Sequence, residues 1–187
     1  MNIPMVDLKG QYESLKTEID TAMIQALGET RFILGPNVQA FEQEAADYLG
    51  VKNAVSCASG TDALHLALRA AGIKSGDEVI TTAFTFIATA EAIRYVDATP
   101  VFVDIDCTTL NIDTDKIRDA ITDKTTAIIP VHLFGQPADM DEINALAQEF
   151  NLKIIEDCAQ SFGSQYHGTQ TGAIGELGAF SFFPSKN

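Results

Sequence analysis

The chain contains no tryptophan, only three cysteines and few basic residues. Twelve lysine and arginine residues stand against 26 aspartate and glutamate residues, which gives a formal net charge of −14 at pH 7. A surface of this charge repels phosphate backbones and anionic lipid headgroups, so nucleic-acid and membrane partners are not expected. An anionic ligand would need a local site, such as a helix N-terminus, whose attraction outweighs the overall field.

The cysteines Cys57, Cys107 and Cys158 are far apart and odd in number. Neither they nor the three histidines have the spacing of a metal site, so we predict no metal and reduced thiols in a cytoplasmic protein. We expect Cys57 and Cys158 to be small core residues in or beside strands. A nucleophilic Cys158 is the alternative, although the neighbouring sequence supplies no base.

Long apolar runs are also absent. No run approaches the roughly 18 residues that span a bilayer, and the first residues lack the basic and then apolar pattern of a secretory signal. The composition, 46% hydrophobic and 20% charged, is that of a globular chain with one sizeable core.

Short runs rich in valine and isoleucine alternate with amphipathic segments along most of the chain. We predict two leading helices, over 7–28 and from 36 or 37 to 49. After them we predict strands at 54–58, 78–81, 100–104, 126–131, 153–157 and 179–183. The helices between the strands are predicted at 61–71, 85–95, 114–121 and 140–150, and a hairpin with a loop over 163–178. This alternation predicts an α/β fold, a mostly parallel sheet with helices on both faces.

The polar residues of interest follow the strands of this predicted sheet, where ligands bind in open parallel sheets. Ser59, Gly60 and Thr61 form a tight turn that opens a helix, and their hydroxyls and free amides suit a phosphate group. The alternative is a simple helix cap. Phe86, at another strand-to-helix junction, could stack on a planar ring or belong to the core.

Asp157 ends an apolar strand, where an ionised carboxylate is costly unless it is paired. A pyridinium nitrogen would be a suitable partner, and Gln160 could flank the same ring; a helix cap or a salt bridge is the alternative. Lys186 lies in a small-residue and aromatic setting, Phe182-Phe183-Pro184-Ser185-Lys186. Burial there would free its amine for attack on a carbonyl, although most lysines are solvated. A carboxylate and a lysine so arranged can hold pyridoxal phosphate.

Together these segments resemble the DegT-type sugar aminotransferases, pyridoxal-phosphate enzymes of fold type I. The resemblance covers the whole chain and rests on ordered segments at 32–36, 59–64, 76–80, 100–106, 130–136, 156–161 and 181–186. It implies that Lys186 forms the Schiff base with the cofactor, that Asp157 holds the pyridinium nitrogen, and that Gln160 lies beside the ring. Histidine replaces this lysine in members that dehydrate their substrate, so Lys186 points to amino transfer.

The resemblance also implies the remaining cofactor contacts. Gly60, Thr61 and Ser181 would bind the phosphate, with Ser59 as a weaker candidate, and Phe86 would stack on the ring.

The implied reaction moves an amino group, typically from glutamate, to a keto group of a nucleotide-linked sugar for polysaccharide or glycan biosynthesis. The sequence resembles most the branch that aminates the 3-keto position of UDP-linked uronic acid sugars. The alternatives are a non-catalytic regulatory or binding module, and another fold type I enzyme such as a lyase or desulfurase.

The resemblance carries an expectation about domains. The family's chains are about twice as long, so residues 1–187 would be the N-terminal part of the cofactor-binding large domain, without the small C-terminal domain. The complete protein would be a homodimer, and this part alone would be inactive.

Overall fold

A computed structural model describes residues 6–186. The chain divides into two compact units, Met1–Ser56 and Cys57–Asn187. The first holds two helices, α1 (Leu8–Glu29) and α2 (Pro36–Leu49). Asp7 caps α1, since its side chain accepts a hydrogen bond from the Gly10 amide at 2.9 Å.

The helix α1 confirms the first leading helix predicted from the sequence, but many of its apolar side chains are exposed. No residue of α1 is buried. Met23, Ile24 and Leu27 are 60%, 70% and 62% exposed. A helix with so much uncovered apolar surface is typical of a segment that packs against another chain or another part of its own chain.

The second unit contains the sheet. Its helices are α3 (Gly60–Ala70), α4 (Ala88–Tyr95), α5 (Thr114–Ala120) and α6 (Met140–Phe150), with a short 3₁₀ helix at Leu133–Gly135. Its strands are β1 (Glu78–Thr82), β2 (Thr99–Val103), β3 (Thr125–Ile128), β4 (Lys153–Asp157), β5 (Gln165–Tyr166), β6 (Thr169–Gln170) and β7 (Leu177–Ala179).

Five strands form one sheet in the order β2-β1-β3-β4-β7, and all four pairings are parallel. The strands β5 and β6 form a separate antiparallel hairpin, which confirms the hairpin predicted within 163–178. The parallel α/β class predicted from the alternation of strands and helices is also confirmed.

Alternate residues of the strands enter two different cores. Val79 and Ile155 pack in a cluster with residues of α3 and α4. Their chain neighbours Ile80 and Ile154 pack in a second cluster with residues of α5 and α6. Helices therefore cover both faces of the sheet. Successive residues of a strand point alternately to the α3–α4 layer and to the α5–α6 layer.

Three predictions about local structure are wrong. Residues 54–58 are not a strand; Val55 is 83% exposed and Cys57 is also exposed, whereas Cys158 is buried as predicted. The last strand is β7 at Leu177–Ala179 rather than 179–183, because it takes its register from β4, where Asp157 pairs with Ala179. The helix α4 begins at Ala88, three residues later than predicted.

Among residues 6–186, the structure has no helix that is both long and apolar enough to cross a membrane.

Candidate active site

The carboxyl ends of the parallel strands gather most of the residues that the sequence singled out. Asp157 is the last residue of β4, and Gln160 follows it in the next loop. Phe86 follows β1, and Ser181 and Lys186 follow β7. Since β1, β3, β4 and β7 run in one direction, these residues leave the sheet at the same edge. This edge is where open parallel sheets bind ligands.

Asp157 is a buried carboxylate, 5% exposed. Asp157 lies two residues after Ile155 on β4, so its side chain points to the same face of the sheet, towards the α3–α4 layer. There its Oδ2 accepts a hydrogen bond of 2.7 Å from the Thr89 hydroxyl of α4. Its Oδ1 accepts a second bond, of 3.1 Å, from the amide of Ala159. Each carboxylate oxygen has two acceptor sites, so each retains one for a further donor.

Burial raises the pKa of Asp157 above its usual value, because the charged form loses hydration. Hydrogen bonds from Thr89 and Ala159, and the electrostatic influence of His132 and Lys186, oppose this effect without cancelling it. A carboxylate in this state gains from a cationic partner, and the pyridinium of pyridoxal phosphate is such a partner.

The preceding residue, Glu156, is also buried but is fully provided with donors. Its oxygens accept hydrogen bonds from the amides of Gly172, Ile174 and Gly175 at 2.7–2.8 Å and from the His132 ring at 2.9 Å. Burial raises the pKa of Glu156, but the bonds from His132, Gly175 and Gly172 together outweigh burial and lower it. Glu156 is therefore a structural anchor for the segment before β7.

His132, Glu156 and Cys158 have ligand atoms within 4.8 Å of one another, which raises the question of a metal site. The Ala138 amide donates to Nδ1 of His132 at 3.0 Å, so the other ring nitrogen carries the hydrogen and donates to Glu156. Both nitrogens are thus engaged. Burial, and then the Glu156 charge, raise the pKa of the Cys158 thiol well above its usual value, which disfavours the thiolate that a metal or a nucleophile requires.

The candidate phosphate-binding residues come together at the N-terminus of α3. A Cβ added to Gly60 would lie 2.8 Å from Cβ and 3.2 Å from Oγ of Ser181, so only glycine allows this close approach. Ser59 is the N-cap, because its Oγ accepts from the Asp62 amide at 3.1 Å. Thr61 lies beside them in the first turn. Amides at a helix N-terminus with nearby hydroxyls fit a phosphate group, and the N-cap role of Ser59 agrees with its weaker candidacy.

Phe86 and Gln160 are tied to neighbouring backbone. The carbonyl of Phe86 lies 3.4 Å from the Thr89 hydroxyl. The residue is 67% exposed, so it is not part of the core and is open to stacking. The amide oxygen of Gln160 accepts from the Phe134 amide at 2.9 Å. Phe134 has a φ of 55°, a left-handed conformation that is strained for a bulky residue and that often occurs at functional sites.

The aromatic residues before Lys186 do not enclose it. Phe182 and Phe183 are 51% and 66% exposed, Pro184 is exposed, and Lys186 is half-buried. The backbone of Lys186 is held by a 2.7 Å hydrogen bond from its amide to the Phe183 carbonyl. This segment lies at the surface of the described chain, so the burial that would free the Lys186 amine is not present here.

Two residues of this region escaped sequence reasoning. Thr89 bonds to a partner 68 residues away, and no local pattern announces such a pairing. Glu156 gave a signal that could have been used, because two consecutive acidic residues at the end of an apolar strand must face opposite layers, and both need partners.

Comparisons with known proteins identify the family to which the chain belongs. The family model of the DegT/DnrJ/EryC1/StrS aminotransferase family matches residues 13–187. A UDP-N-acetyl-3-dehydro-α-D-glucosamine 3-aminotransferase of Acidithiobacillus ferrooxidans is 56% identical over 99% of the chain and 50% of its own length.

Two further relatives bear different names. A UDP-2-acetamido-2-deoxy-3-oxo-D-glucuronate aminotransferase of Pseudomonas aeruginosa is 47% identical over 98% of the chain and 51% of its own length. A protein of Geobacillus stearothermophilus named pleiotropic regulatory protein is 51% identical over 100% of the chain and 50% of its own length. The chain thus spans about half the length of the curated relatives it matches.

Solved structures share the fold. DesV of S. venezuelae, in complex with a ketimine intermediate, superimposes with a TM-score of 0.96 at 44% identity, covering 98% of this chain and 50% of DesV. The Bacillus subtilis protein NtdA, solved with bound cofactor PMP, superimposes with a TM-score of 0.91 at 34% identity, covering 99% of this chain and 42% of NtdA. By the family match over residues 13–187, the chain belongs to the DegT/DnrJ/EryC1/StrS aminotransferase family.

Proposed function

We propose that the complete protein is a pyridoxal-phosphate-dependent aminotransferase that moves an amino group from an amino acid, typically glutamate, to a keto group of a nucleotide-linked sugar. The observation that carries this proposal is the buried Asp157 carboxylate, whose pKa burial raises and which lies at the carboxyl edge of the sheet with acceptor capacity to spare. The names of the relatives, most of all the 3-aminotransferase at 56% identity, support it.

In this proposal, different candidate site residues hold different parts of the cofactor. Asp157 accepts the hydrogen bond of the ring nitrogen, and Lys186 supplies the amine for covalent attachment. Gln160 lies beside the ring, and Phe86 stacks on it, as its exposed side chain allows. Lys186 in this description belongs to the complete enzyme, where further chain would cover the exposed segment around it.

A second group of residues would bind the phosphate of the cofactor. The backbone amides of Gly60 and Thr61 at the α3 N-terminus and the Ser181 hydroxyl would hold it, and the close approach of Gly60 to Ser181 supports this assignment. Ser59 contributes less, since its hydroxyl already caps the helix.

When bound, pyridoxal phosphate supplies an electron sink for the carbon that loses a proton. The ionised Asp157 carboxylate would keep the ring nitrogen protonated, as that electron sink requires. The Nζ of Lys186 would take the proton from the α-carbon of the amino donor as general base and, within the same half-reaction, deliver it as general acid to the cofactor carbon that carries the nitrogen. The half-reaction with the sugar would use the same two proton transfers in the opposite direction.

We propose a UDP-linked 2-acetamido sugar with a keto group at C3 as the acceptor. Two of the relatives, both named aminotransferases, carry such a sugar in their names. The glucuronate enzyme is the less identical of the two, at 47% against 56%, so the uronic acid branch remains an expectation within this wider class. Aminosugars of this type would serve polysaccharide or glycan biosynthesis.

The proposal extends to the whole protein. Residues 1–187 would be the N-terminal part of the cofactor-binding domain, and a second half would complete the sheet and supply the small domain, as the double length of the relatives suggests. The apolar face of α1, exposed here, supports assembly as a homodimer. The three free cysteines accord with a reducing cytoplasm.

Borohydride reduction after incubation with pyridoxal phosphate, followed by peptide mass mapping, tests the proposal. It should be applied to this chain and to a completed chain, in which residues 1–187 continue into the second half of the A. ferrooxidans relative. We expect a pyridoxyl adduct on Lys186 of the completed chain, and amino transfer from glutamate to a UDP-linked 3-keto sugar. Lys186→Arg is the control, because arginine keeps the charge but forms no stable Schiff base.

Two outcomes would contradict the proposal. Adducts scattered over surface lysines of the completed chain would rule out Lys186 as the attachment site. An adduct on Lys186 without amine transfer from any donor would favour a non-catalytic regulatory protein, the alternative that the name of the G. stearothermophilus relative supports.

A further inference from the structure

Thr89 is a buried polar residue to which neither the sequence patterns nor the proposed cofactor contacts give a role. It lies in the first turn of α4 and is 0% exposed. Its Oγ1 lies 2.7 Å from Oδ2 of Asp157 and 3.4 Å from the Phe86 carbonyl. An ionised carboxylate only accepts hydrogen bonds, and the shorter distance is to Asp157, so the single hydroxyl hydrogen is donated there.

This bond completes a two-point hold on the carboxylate. Thr89 fixes Oδ2 from the helix side, and the Ala159 amide fixes Oδ1 from the following loop. Two donors on different oxygens prevent rotation of the carboxylate about its Cβ–Cγ bond. The acceptor sites that remain are thereby held in fixed directions.

We propose that Thr89 is a positioning residue, which holds the Asp157 carboxylate ionised and oriented to accept the hydrogen bond of the cofactor's ring nitrogen. This inference rests on the proposed function. The same threonine also touches the backbone of Phe86, so it joins the segment that carries the stacking ring to the carboxylate that holds the nitrogen.

Among the groups around Asp157, Thr89 contributes most to keeping the carboxylate ionised. Burial is the largest influence on the pKa of Asp157 and raises it, and the Thr89 hydrogen bond is the largest of the influences that oppose burial. His132 and Lys186 act on Asp157 electrostatically and contribute less. Without the hydroxyl, the carboxylate would be more readily protonated and less firmly oriented.

Three variants separate positioning from mere burial of a threonine. Thr89→Val keeps the shape and removes the hydroxyl, and Thr89→Ser keeps the hydroxyl. Thr81→Val is the matched control, because Thr81 is also 0% exposed and donates a 2.9 Å bond, to the Ile129 carbonyl. The dissociation constant of pyridoxal phosphate is measured for each variant in the completed chain, and again with an analogue that has CH in place of the ring nitrogen.

We expect Thr89→Val to weaken pyridoxal phosphate binding about tenfold, the usual effect of losing one hydrogen bond to a charged group. Thr89→Ser and Thr81→Val should stay within about twofold of the unaltered protein. The analogue should bind equally well to the unaltered protein and to Thr89→Val, since it has no ring nitrogen for Asp157 to hold. Equal losses for cofactor and analogue, or no loss at all, would overturn the inference.

A measurement without cofactor keeps the two proposals distinct. Carbon-13 NMR titration of Asp157, assigned with Asp157→Asn, should show a higher pKa in Thr89→Val and restoration in Thr89→Ser. If the unaltered completed chain fails to bind pyridoxal phosphate but this shift is found, the proposed function fails while the control of the carboxylate by Thr89 stands. An unchanged titration in Thr89→Val contradicts the inference directly.

Discussion

At the scale of single residues, the neighbours Glu156 and Asp157 are both carboxylates, but they differ in the number of hydrogen bonds they accept and in the direction of their pKa shifts. Glu156 accepts four hydrogen bonds from the protein, and Asp157 accepts two. The pKa of Glu156 is lowered and that of Asp157 is raised. The first carboxylate stabilises the fold, whereas the second costs folding free energy until a cation joins it.

We predict that Glu156→Gln lowers the free energy of unfolding by about 3 kcal/mol, because its amide nitrogen would face donors in a buried network. Since the folded pKa of Glu156 lies below its usual 4.5, its contribution is complete above pH 4.5 and is lost as the pH falls through the folded pKa. Urea unfolding at a series of pH values measures this. A difference from the unaltered protein that stays constant down to pH 3 would contradict the prediction.

For Asp157→Asn we predict the opposite result in the cofactor-free protein. The folded pKa of Asp157 lies above its usual 3.8, so stability is lost as the pH rises from there through the folded pKa. Asparagine removes that loss, and the variant should equal or exceed the unaltered protein in urea midpoint at pH 7. A substantially lower midpoint would mean that Asp157 is structural. Its affinity for pyridoxal phosphate should nevertheless fall steeply.

At the scale of elements, the segment from β6 to β7 fits only if it lacks side chains at certain positions. A Cβ on Gly178 would lie 2.5 Å from Cα and 2.6 Å from the carbonyl oxygen of Gly172. Both are backbone atoms that cannot swing aside. The Gly172 amide also donates to Glu156. A displacement of Gly172 would therefore also disturb the hydrogen bonds of the buried Glu156 carboxylate.

We predict that Gly178→Ala destabilises the protein by about 1–3 kcal/mol through this overlap. The matched control is Gly28→Ala in α1, where a Cβ meets nothing within 4 Å. There the higher helix propensity of alanine should stabilise the protein by up to about 1 kcal/mol. Thermal unfolding of the two variants compares them directly, and a shift of the same sign for both would refute the argument.

Elements with strong local patterns were predictable from the sequence. The strands β1 and β4 and the helix α6 lie within a residue of their predicted bounds, because runs of isoleucine and valine and helical spacing are local signals. Residues 54–58 have the same apolar character but are not a strand. An apolar run forms a strand only where a neighbouring strand can bond to it, and no local pattern reports that neighbour.

The site was predictable to a similar degree. The order of elements along the chain pointed to Asp157. The turn residues at the start of a helix pointed to Gly60, although the strand predicted before it is absent. The Thr89 bond to Asp157 and the approach of Gly60 to Ser181 join residues far apart in sequence. These contacts follow from packing and could not be inferred from spacing.

At the scale of the whole molecule, the net charge of −14 opposes the anionic ligand that the candidate site suits. We predict that pyridoxal phosphate associates with the protein faster at 0.2 M salt than at 0.02 M, because salt screens the long-range repulsion. Pyridoxal, which lacks the phosphate, is the control and should show little dependence on salt. A stopped-flow rate that falls with salt would mean that the local field of the α3 N-terminus extends beyond the site.

The alternation of Glu156 and Asp157 along β4 has a consequence for the descent of such proteins. Glu156, on one face of the strand, is bonded into the fold, and Asp157, on the other face, has the proposed role of holding the cofactor. Under the proposed function, a single substitution at Asp157 would therefore abolish catalysis and leave the scaffold intact, whereas a change at Glu156 would destabilise the scaffold itself. A lineage with this arrangement could lose the proposed activity in one step, keep a stable fold, and so be free to acquire a different function.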